Sequence, residues 1–310
     1  MPLPRDASLS PELESDIHAL LPGRATAAGN TRRTAIQVAL GVGYAASVLP
    51  ALAQTAIRTP ADGLDSGPVT IDANGFAIPA YRSAPAGKTG LPVILVIQEI
   101  FGVHEYIADV TRRLARLGYL AIAPDLYRRQ GDATQYTDMS RLMSELVSKV
   151  PDEQVLADLD ATVRWAGTHG GNARKVGITG FCWGGRQIWL YAAHNPNVKA
   201  GVAWYGRLVG NATPLTPRQP IDVVGQLKAP VLGLYGGADT GIPVTSINEF
   251  KQALAQAAQA GNQAAAQSRF ILYPDAPHAF HADYRPSYRA EAAKDGWQQA
   301  VQWFKQHGLG

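Results

Sequence analysis

One stretch of the sequence indicates the fold, Val176-Gly177-Ile178-Thr179-Gly180-Phe181-Cys182-Trp183-Gly184-Gly185. Its apolar first part predicts a strand at residues 176–179, and the residues that follow predict a helix at 184–193. Glycines stand two residues before and two residues after Cys182, where a strained turn brings strand and helix too close together to leave room for a Cβ atom. This pattern is typical of a nucleophile elbow, with Cys182 as the nucleophile.

The rest of the chain repeats the alternation of strand and helix. Asn74-Gly75 predicts a hairpin over residues 69–78, because Asn-Gly is the commonest two-residue hairpin turn. Continuous apolar runs predict buried parallel strands at 93–97, 120–123, 201–205, 231–235 and 270–273. Helical spacing of apolar residues predicts helices at 106–117, 138–150, 155–165, 247–260 and 290–304. We therefore predict a single α/β domain over residues 54–310, with a mostly parallel central sheet and helices on both faces.

Composition narrows the functional classes. The chain has 310 residues, of which 46% are hydrophobic and 17% charged, as in folded globular proteins. Its net charge of +3 comes from scattered residues, so no basic stripe suggests nucleic-acid binding, and we expect a small-molecule substrate. The one cysteine excludes an intramolecular disulfide and a multi-cysteine metal site. We predict no metal and no cofactor.

The N-terminal residues 1–53 have the layout of an export signal. Arg32 and Arg33 precede a mildly apolar run at 35–49, and Pro50-Ala51-Leu52-Ala53 has the small-x-small pattern of a signal-peptidase site. This resembles a twin-arginine signal, which predicts the twin-arginine export machinery as a partner and a periplasmic or secreted protein. An uncleaved amphipathic helix in a cytoplasmic protein and a membrane anchor are the alternatives, but the apolar run is shorter than the ~20 residues of a spanning helix.

Cys182 also has a less specific interpretation, because a lone cysteine among apolar residues is more often a small buried hydrophobic residue. The glycine frame and the helix that begins after it favour catalysis instead. The positive end of that helix favours a thiolate and later an oxyanion, toward which the Trp183 amide points.

An acid and a base are expected downstream of the nucleophile, in that order. The strand at 231–235 runs into a glycine-rich loop that ends at Asp239, and the last strand is followed by His278. We assign Asp239 to orient the imidazole and His278 to act as the base, with Asp275 and His281 as the nearby rivals. The remaining candidate histidines are interpreted as solvated surface residues: His104, His169, His194 and His307.

From about Pro68 to its end, the chain resembles the dienelactone hydrolase family of α/β-hydrolases. The resemblance rests on the cysteine elbow, on Gln98-Glu99-Ile100-Phe101-Gly102, on Ala123-Pro124-Asp125-Leu126-Tyr127, and on the order of the candidate triad. It implies hydrolysis of an ester or enol-lactone through a cysteinyl thioester. It further implies that Glu99 forms a hydrogen bond with the resting thiol and gates it, and that the amides of Ile100 and Trp183 form the oxyanion hole.

The resemblance is weaker for the groups that bind the substrate. The founding enzymes carry an arginine four residues after the histidine, where this chain has Ala282. Arg285 and Arg141 are the candidates that could replace the carboxylate-binding arginines, although a surface position is the favoured interpretation for both.

Three other functions are alternatives to the hydrolysis of a dienelactone. One is a general carboxylesterase or thioesterase of the same fold. The others are a thiol redox sensor, which the absence of a second cysteine disfavours, and a binding module with a silent site.

Overall fold

The structure, a computed structural model, describes residues 56–310. The predicted signal sequence and its cleavage site lie outside the described residues. Within residues 56–310, no helix is both long and apolar enough to span a membrane.

A single eight-stranded sheet forms the centre of the domain, in the order β1-β2-β4-β3-β5-β6-β7-β8. The β1 and β2 strands form the predicted Asn-Gly hairpin and are antiparallel, as are β2 and β4, while all other neighbours are parallel. The strands are β1 (Leu64–Ala73), β2 (Phe76–Pro85), β3 (Leu91–Ile97), β4 (Leu120–Pro124), β5 (Gly171–Phe181), β6 (Val198–Trp204), β7 (Val231–Gly236) and β8 (Arg269–Tyr273). The last five residues of β3 and the whole of β4 and β7 are buried, which explains their uninterrupted apolar sequences.

Helices pack on both faces of the sheet. They are α1 (Glu105–Arg116), α2 (Asp152–Thr168), α3 (Trp183–His194), α4 (Val244–Gln259), α5 (Gln263–Gln267) and α6 (Ala290–Gln306). Gly177 of β5 faces Phe304 of α6, whereas Gly201, paired with the next residue of β5, faces Ile188 of α3. Because successive residues of a strand point to opposite faces, α3 and α6 lie on opposite sides of the sheet. The predicted fold class is confirmed.

The predicted helix at 138–150 is wrong as one regular element. The segment consists of a single α turn (Met139–Arg141), a π turn (Leu142–Leu146) and a 3₁₀ turn (Val147–Lys149). The hydroxyls of Ser144 and Ser148 donate to the carbonyls of the residues four positions earlier. Such bonds compete with the backbone ladder and bend helices, so the polar serines disturb the helix that the apolar spacing predicts.

The three predicted triad residues and Glu99 each follow a strand at the same edge of the sheet. Glu99 follows β3, Cys182 follows β5, Asp239 follows β7 and His278 follows β8. Parallel strands present their carboxyl ends along one edge, which is where binding sites of open α/β sheets form. The topology therefore gathers these four residues at one place.

Candidate active site

Cys182 occupies a strained turn between β5 and α3. Its φ is 54° and its ψ is −115°, a backbone conformation that residues other than glycine rarely adopt. Its amide donates to the carbonyl of Trp204 at 3.0 Å, which ties the turn to the neighbouring strand. The half-buried thiol thus stands at the N-terminus of a twelve-residue helix, as the elbow pattern predicts.

The two glycines that frame Cys182 are required by close backbone contacts. A Cβ atom on Gly180 would lie 2.6 Å from the carbonyl oxygen of Gly184. One on Gly184 would lie 2.5 Å from the carbonyl oxygens of both Ile97 and Gln98. Neither distance is tolerable, so the end of β3 touches the start of α3 only because these residues have no side chain.

Asp239 and His278 are hydrogen-bonded to each other. The Nδ1 atom of His278 lies 2.7 Å from Oδ2 of Asp239, and both side chains are almost fully buried. The other carboxylate oxygen accepts from the amides of Gly241 and Ile242 at 2.9 and 3.1 Å. These bonds hold the carboxylate so that it orients the ring, which leaves Nε2 as the reactive nitrogen.

The environment of His278 favours its protonated form. Burial acts to lower the pKa of His278, but the charges of Asp239 and Cys182 more than offset burial and raise that pKa well above its ordinary value. Nε2 is buried and has no hydrogen-bond partner among the described residues, although Cys182 is close enough to influence its protonation. The arrangement therefore suits a thiolate beside an imidazolium.

The two rivals of the predicted triad occupy other positions. Nδ1 of His281 lies 2.6 Å from the hydroxyl of Tyr106, and the ring stacks on Phe181 within the core. Burial, followed by the charge of Arg113, lowers the pKa of His281 well below its ordinary value, so this ring stays neutral. Asp275 is exposed in the loop before His278.

Ile100 and Trp183, the predicted oxyanion-hole residues, lie on two segments that meet. Trp183 is the first residue of α3, where backbone amides lack partners within the helix. Ile100 is buried in the turn after β3, the segment whose carbonyls approach Gly184. The contact between these segments brings Ile97 and Gln98, three and two residues before Ile100, against the start of α3.

Glu99 is fully buried and has an unexpected set of neighbours. Its Oε2 atom accepts from the hydroxyl of Tyr284 at 2.7 Å and lies 3.8 Å from Nε2 of His104. Burial acts to raise the pKa of Glu99, but the hydrogen bond with His104 and the positive charge of Arg285 outweigh it, and that pKa is lowered. The carboxylate is thus held ionised in the interior.

Two expectations about this region are corrected. The expected hydrogen bond between Glu99 and the Cys182 thiol is absent, since Oε1 of Glu99 has no partner among the described residues. His104 is not solvated: its side chain is 16% exposed and lies between Glu99 and the Tyr284 ring, whose centroid is 5.1 Å away. Sequence reasoning missed His104 and Tyr284 because they belong to separate loops that the fold brings together.

Of the two candidate arginines, one lies at the site. Arg285 is close enough to lower the pKa of Glu99, after the larger effects of burial and His104, and its guanidinium lies 5.4 Å from the centre of the Phe101 ring. Arg141 instead pairs with Glu145 at 2.9 Å on the exposed helical turn after β4. No contact between Arg141 and Cys182, Asp239 or His278 is seen among the described residues.

The described residues contain no group of three or more histidine, cysteine, aspartate or glutamate side chains that could hold a metal ion. Around Cys182 the side chains are instead aromatic or form hydrogen bonds with one another. The site is equipped for nucleophilic and acid–base chemistry by its own side chains.

Comparison with known proteins gives a consistent result. The sequence model of the dienelactone hydrolase family matches residues 78–308. A protein of Methylorubrum extorquens named "putative carboxymethylenebutenolidase" is 57% identical over 90% of this chain and 94% of its own length. A protein of the same name from Escherichia coli K12 is 53% identical over 86% and 96%. The crystal structure of a "putative dienelactone hydrolase" from Klebsiella pneumoniae superimposes with a TM-score of 0.75 at 53% identity, covering 78% of this chain and 99% of that one.

Proposed function

Because the chain belongs to the dienelactone hydrolase family and is a hydrolase of esters or lactones, we propose that it cleaves its substrate through a thioester on Cys182. The observation that carries the proposal is the hydrogen bond between His278 and Asp239, 2.7 Å long, on a ring close enough to Cys182 that, against the effect of burial, this residue raises the pKa of His278 after Asp239 does. A nucleophile, a base and a group that orients the base are the parts that covalent catalysis requires.

The proposed reaction has two steps. The Cys182 thiolate attacks the acyl carbon, the C–S bond forms, and the carbonyl oxygen becomes an oxyanion that accepts hydrogen bonds from the amides of Ile100 and Trp183. Collapse of this intermediate breaks the bond to the leaving oxygen, which takes the proton of the His278 imidazolium. His278 then removes a proton from water, which attacks the thioester and releases the acid and the thiolate.

Glu99 is proposed to gate the thiol. Its Oε1 atom is buried and unpaired, so a carboxylate acceptor is available for a thiol proton after a small side-chain rotation. In that position Glu99 would keep Cys182 protonated and resistant to oxidation, and in the position seen here, on Tyr284, it would release the thiolate.

We propose an enol-lactone that carries a carboxylate as the substrate. Carboxymethylenebutenolidase is the activity in the names of the relatives, and the guanidinium of Arg285 beside the site supplies a positive charge for a substrate carboxylate. An uncharged ester is the second candidate, because Arg141, the other predicted carboxylate-binding arginine, is paired with Glu145.

The test of the substrate compares the cis- and trans-dienelactones with simple esters on the wild-type enzyme. We expect hydrolysis of all of them, with kcat/KM for a dienelactone higher than for p-nitrophenyl acetate, and loss of that preference in Arg285→Gln. Equal rates on dienelactones and uncharged esters would assign the enzyme to the general esterases.

Export by the twin-arginine route is a further proposal, supported by Arg32-Arg33 and the apolar run that follows. The mature protein recovered from the periplasm should begin near Gln54.

A further inference from the structure

Residues with a positive φ single out one more position at the site. Among the described residues, four that are not glycine have this strained conformation: Asn74, Cys182, Tyr205 and Ala279. Asn74 lies in the hairpin turn, where asparagine commonly adopts this conformation. Cys182 and Ala279, the neighbour of His278, belong to the candidate site. Tyr205, with a φ of 37°, is a bulky residue for which the conformation is costly, and such strain is concentrated at functional sites.

The backbone on both sides of Tyr205 is locked onto the elbow. The carbonyl of Trp204 accepts the amide of Cys182, and the amide of Tyr205 donates to the carbonyl of Leu234 on β7. A Cβ atom on Gly206 would lie 2.2 Å from the amide nitrogen of Arg186 in α3. Tyr205 is therefore held beside the nucleophile by contacts that permit little adjustment.

The Tyr205 side chain points at the reacting groups and not away from them. Its ring packs edge-on against His278 with centroids 5.2 Å apart. Its hydroxyl is buried and has no hydrogen-bond partner among the described residues. The neighbouring hydroxyl of Tyr106 lies 2.6 Å from Nδ1 of His281.

The hydroxyl stays protonated. Burial is the largest cause that raises the pKa of Tyr205 well above its ordinary value, and the nearby Tyr106, Glu99 and Cys182 raise it further. A buried donor without a partner costs free energy in the folded protein. A buried donor of this kind can stabilise negative charge that develops on the substrate during a reaction.

We propose that Tyr205 is a further catalytic residue, whose hydroxyl donates a hydrogen bond to the leaving oxygen of the substrate beside His278. The proposal rests on the proposed thioester mechanism and deepens it. The backbone amides of Ile100 and Trp183 serve the carbonyl oxygen, and Tyr205 serves the second oxygen of the ester. As the C–O bond breaks, Tyr205 keeps its proton and shares it with the departing oxygen, while His278 delivers the proton that completes the leaving group.

The test uses Tyr205→Phe, which keeps the ring and removes the hydroxyl, with esters that differ only in the leaving group. For phenyl acetate and ethyl acetate, whose leaving oxygens are basic, we expect kcat/KM to fall about 10- to 100-fold. For p-nitrophenyl acetate, whose leaving oxygen needs little stabilisation, we expect a fall of less than about threefold.

Tyr119→Phe is the matched control, because Tyr119 also has a buried hydroxyl without a partner but lies at the start of β4, away from the site. It should not change the dependence on the leaving group. The rates on the three esters are measured on one preparation, so partial unfolding of Tyr205→Phe cancels in their ratios. Equal losses on all three esters, or no loss on any, would overturn the role of Tyr205. The thioester mechanism is tested separately, since it predicts no turnover of any of the esters by Cys182→Ala.

Discussion

The two sides of the candidate site are built in different ways. On the side of Cys182, the position of the side chain is set by the backbone. The turn has two glycines and a strained residue, and it is packed against the ends of β3 and β6, which restricts its conformation. On the side of Glu99, position is set by side chains from two separate loops, with Tyr284 donating a hydrogen bond and His104 and Arg285 supplying the positive environment. Cys182 is thus held by the backbone, whereas Glu99, the proposed gate, is held by side chains alone. In the proposed mechanism the geometry of the elbow stays constant, while the reactivity of the Cys182 thiol depends on the position of Glu99.

The largest effect is expected for Asp239→Asn on the rigid side. Loss of the carboxylate charge removes the strongest influence that raises the pKa of His278 and allows the wrong tautomer, so kcat should fall about 10³- to 10⁴-fold. Without a stable imidazolium the thiolate forms only in more basic solution, and iodoacetamide labelling of Cys182 should begin at higher pH. Asp275→Asn, in the exposed loop, is the control. If Asp239→Asn is labelled with the same pH dependence as the wild type, Asp239 is not the residue that sets the protonation of His278.

A smaller effect, on stability, is expected for Gly184→Ala. The added methyl group would meet two carbonyl oxygens at 2.5 Å, so the turn must shift at a cost of about 1–3 kcal/mol in the free energy of unfolding. The same change at Gly225, around which no atom lies within 4 Å, should leave stability unchanged. Urea denaturation of the two variants measures the difference. Equal midpoints would mean that the backbone contact at the elbow does not constrain the turn.

The smallest effect is expected for Tyr284→Phe on the adjustable side. Without the phenol, Glu99 loses the bond that holds it in its present position and should spend more time on the thiol. Iodoacetamide should then label Cys182 about 3- to 10-fold more slowly than in the wild type. In Glu99→Ala, Cys182 should be labelled faster than in the wild type. Tyr288→Phe, in the same loop, is the control. Identical labelling of all these variants would remove the gating role of Glu99.

The same contrast decides what could be predicted from the sequence. The strand–turn–helix around Cys182 and the order of Asp239 and His278 are local patterns, and their positions follow from parallel strands that end at one edge. The neighbours of Glu99 carry no local pattern, because His104 precedes α1 and Tyr284 follows β8 by eleven residues. The strained backbone of Tyr205 could not be predicted either. The apolar run at 201–205 predicts a strand over all five residues, whereas β6 ends at Trp204. In the segment 138–150, Ser144 and Ser148 are the sequence features that argue against a regular helix, because their hydroxyls bond to backbone carbonyls.

Transfer of the acyl group to Cys182 can be tested most directly by trapping the acyl-enzyme. The wild-type protein is mixed with excess p-nitrophenyl acetate, quenched in acid within milliseconds, digested and analysed by mass spectrometry, with Cys182→Ala treated in the same way. We expect an acetyl group on the peptide that contains Cys182 and a burst of p-nitrophenolate that is absent from the variant. Turnover by Cys182→Ala at the wild-type rate, or an acetyl group that accumulates on another residue, would contradict the proposed mechanism.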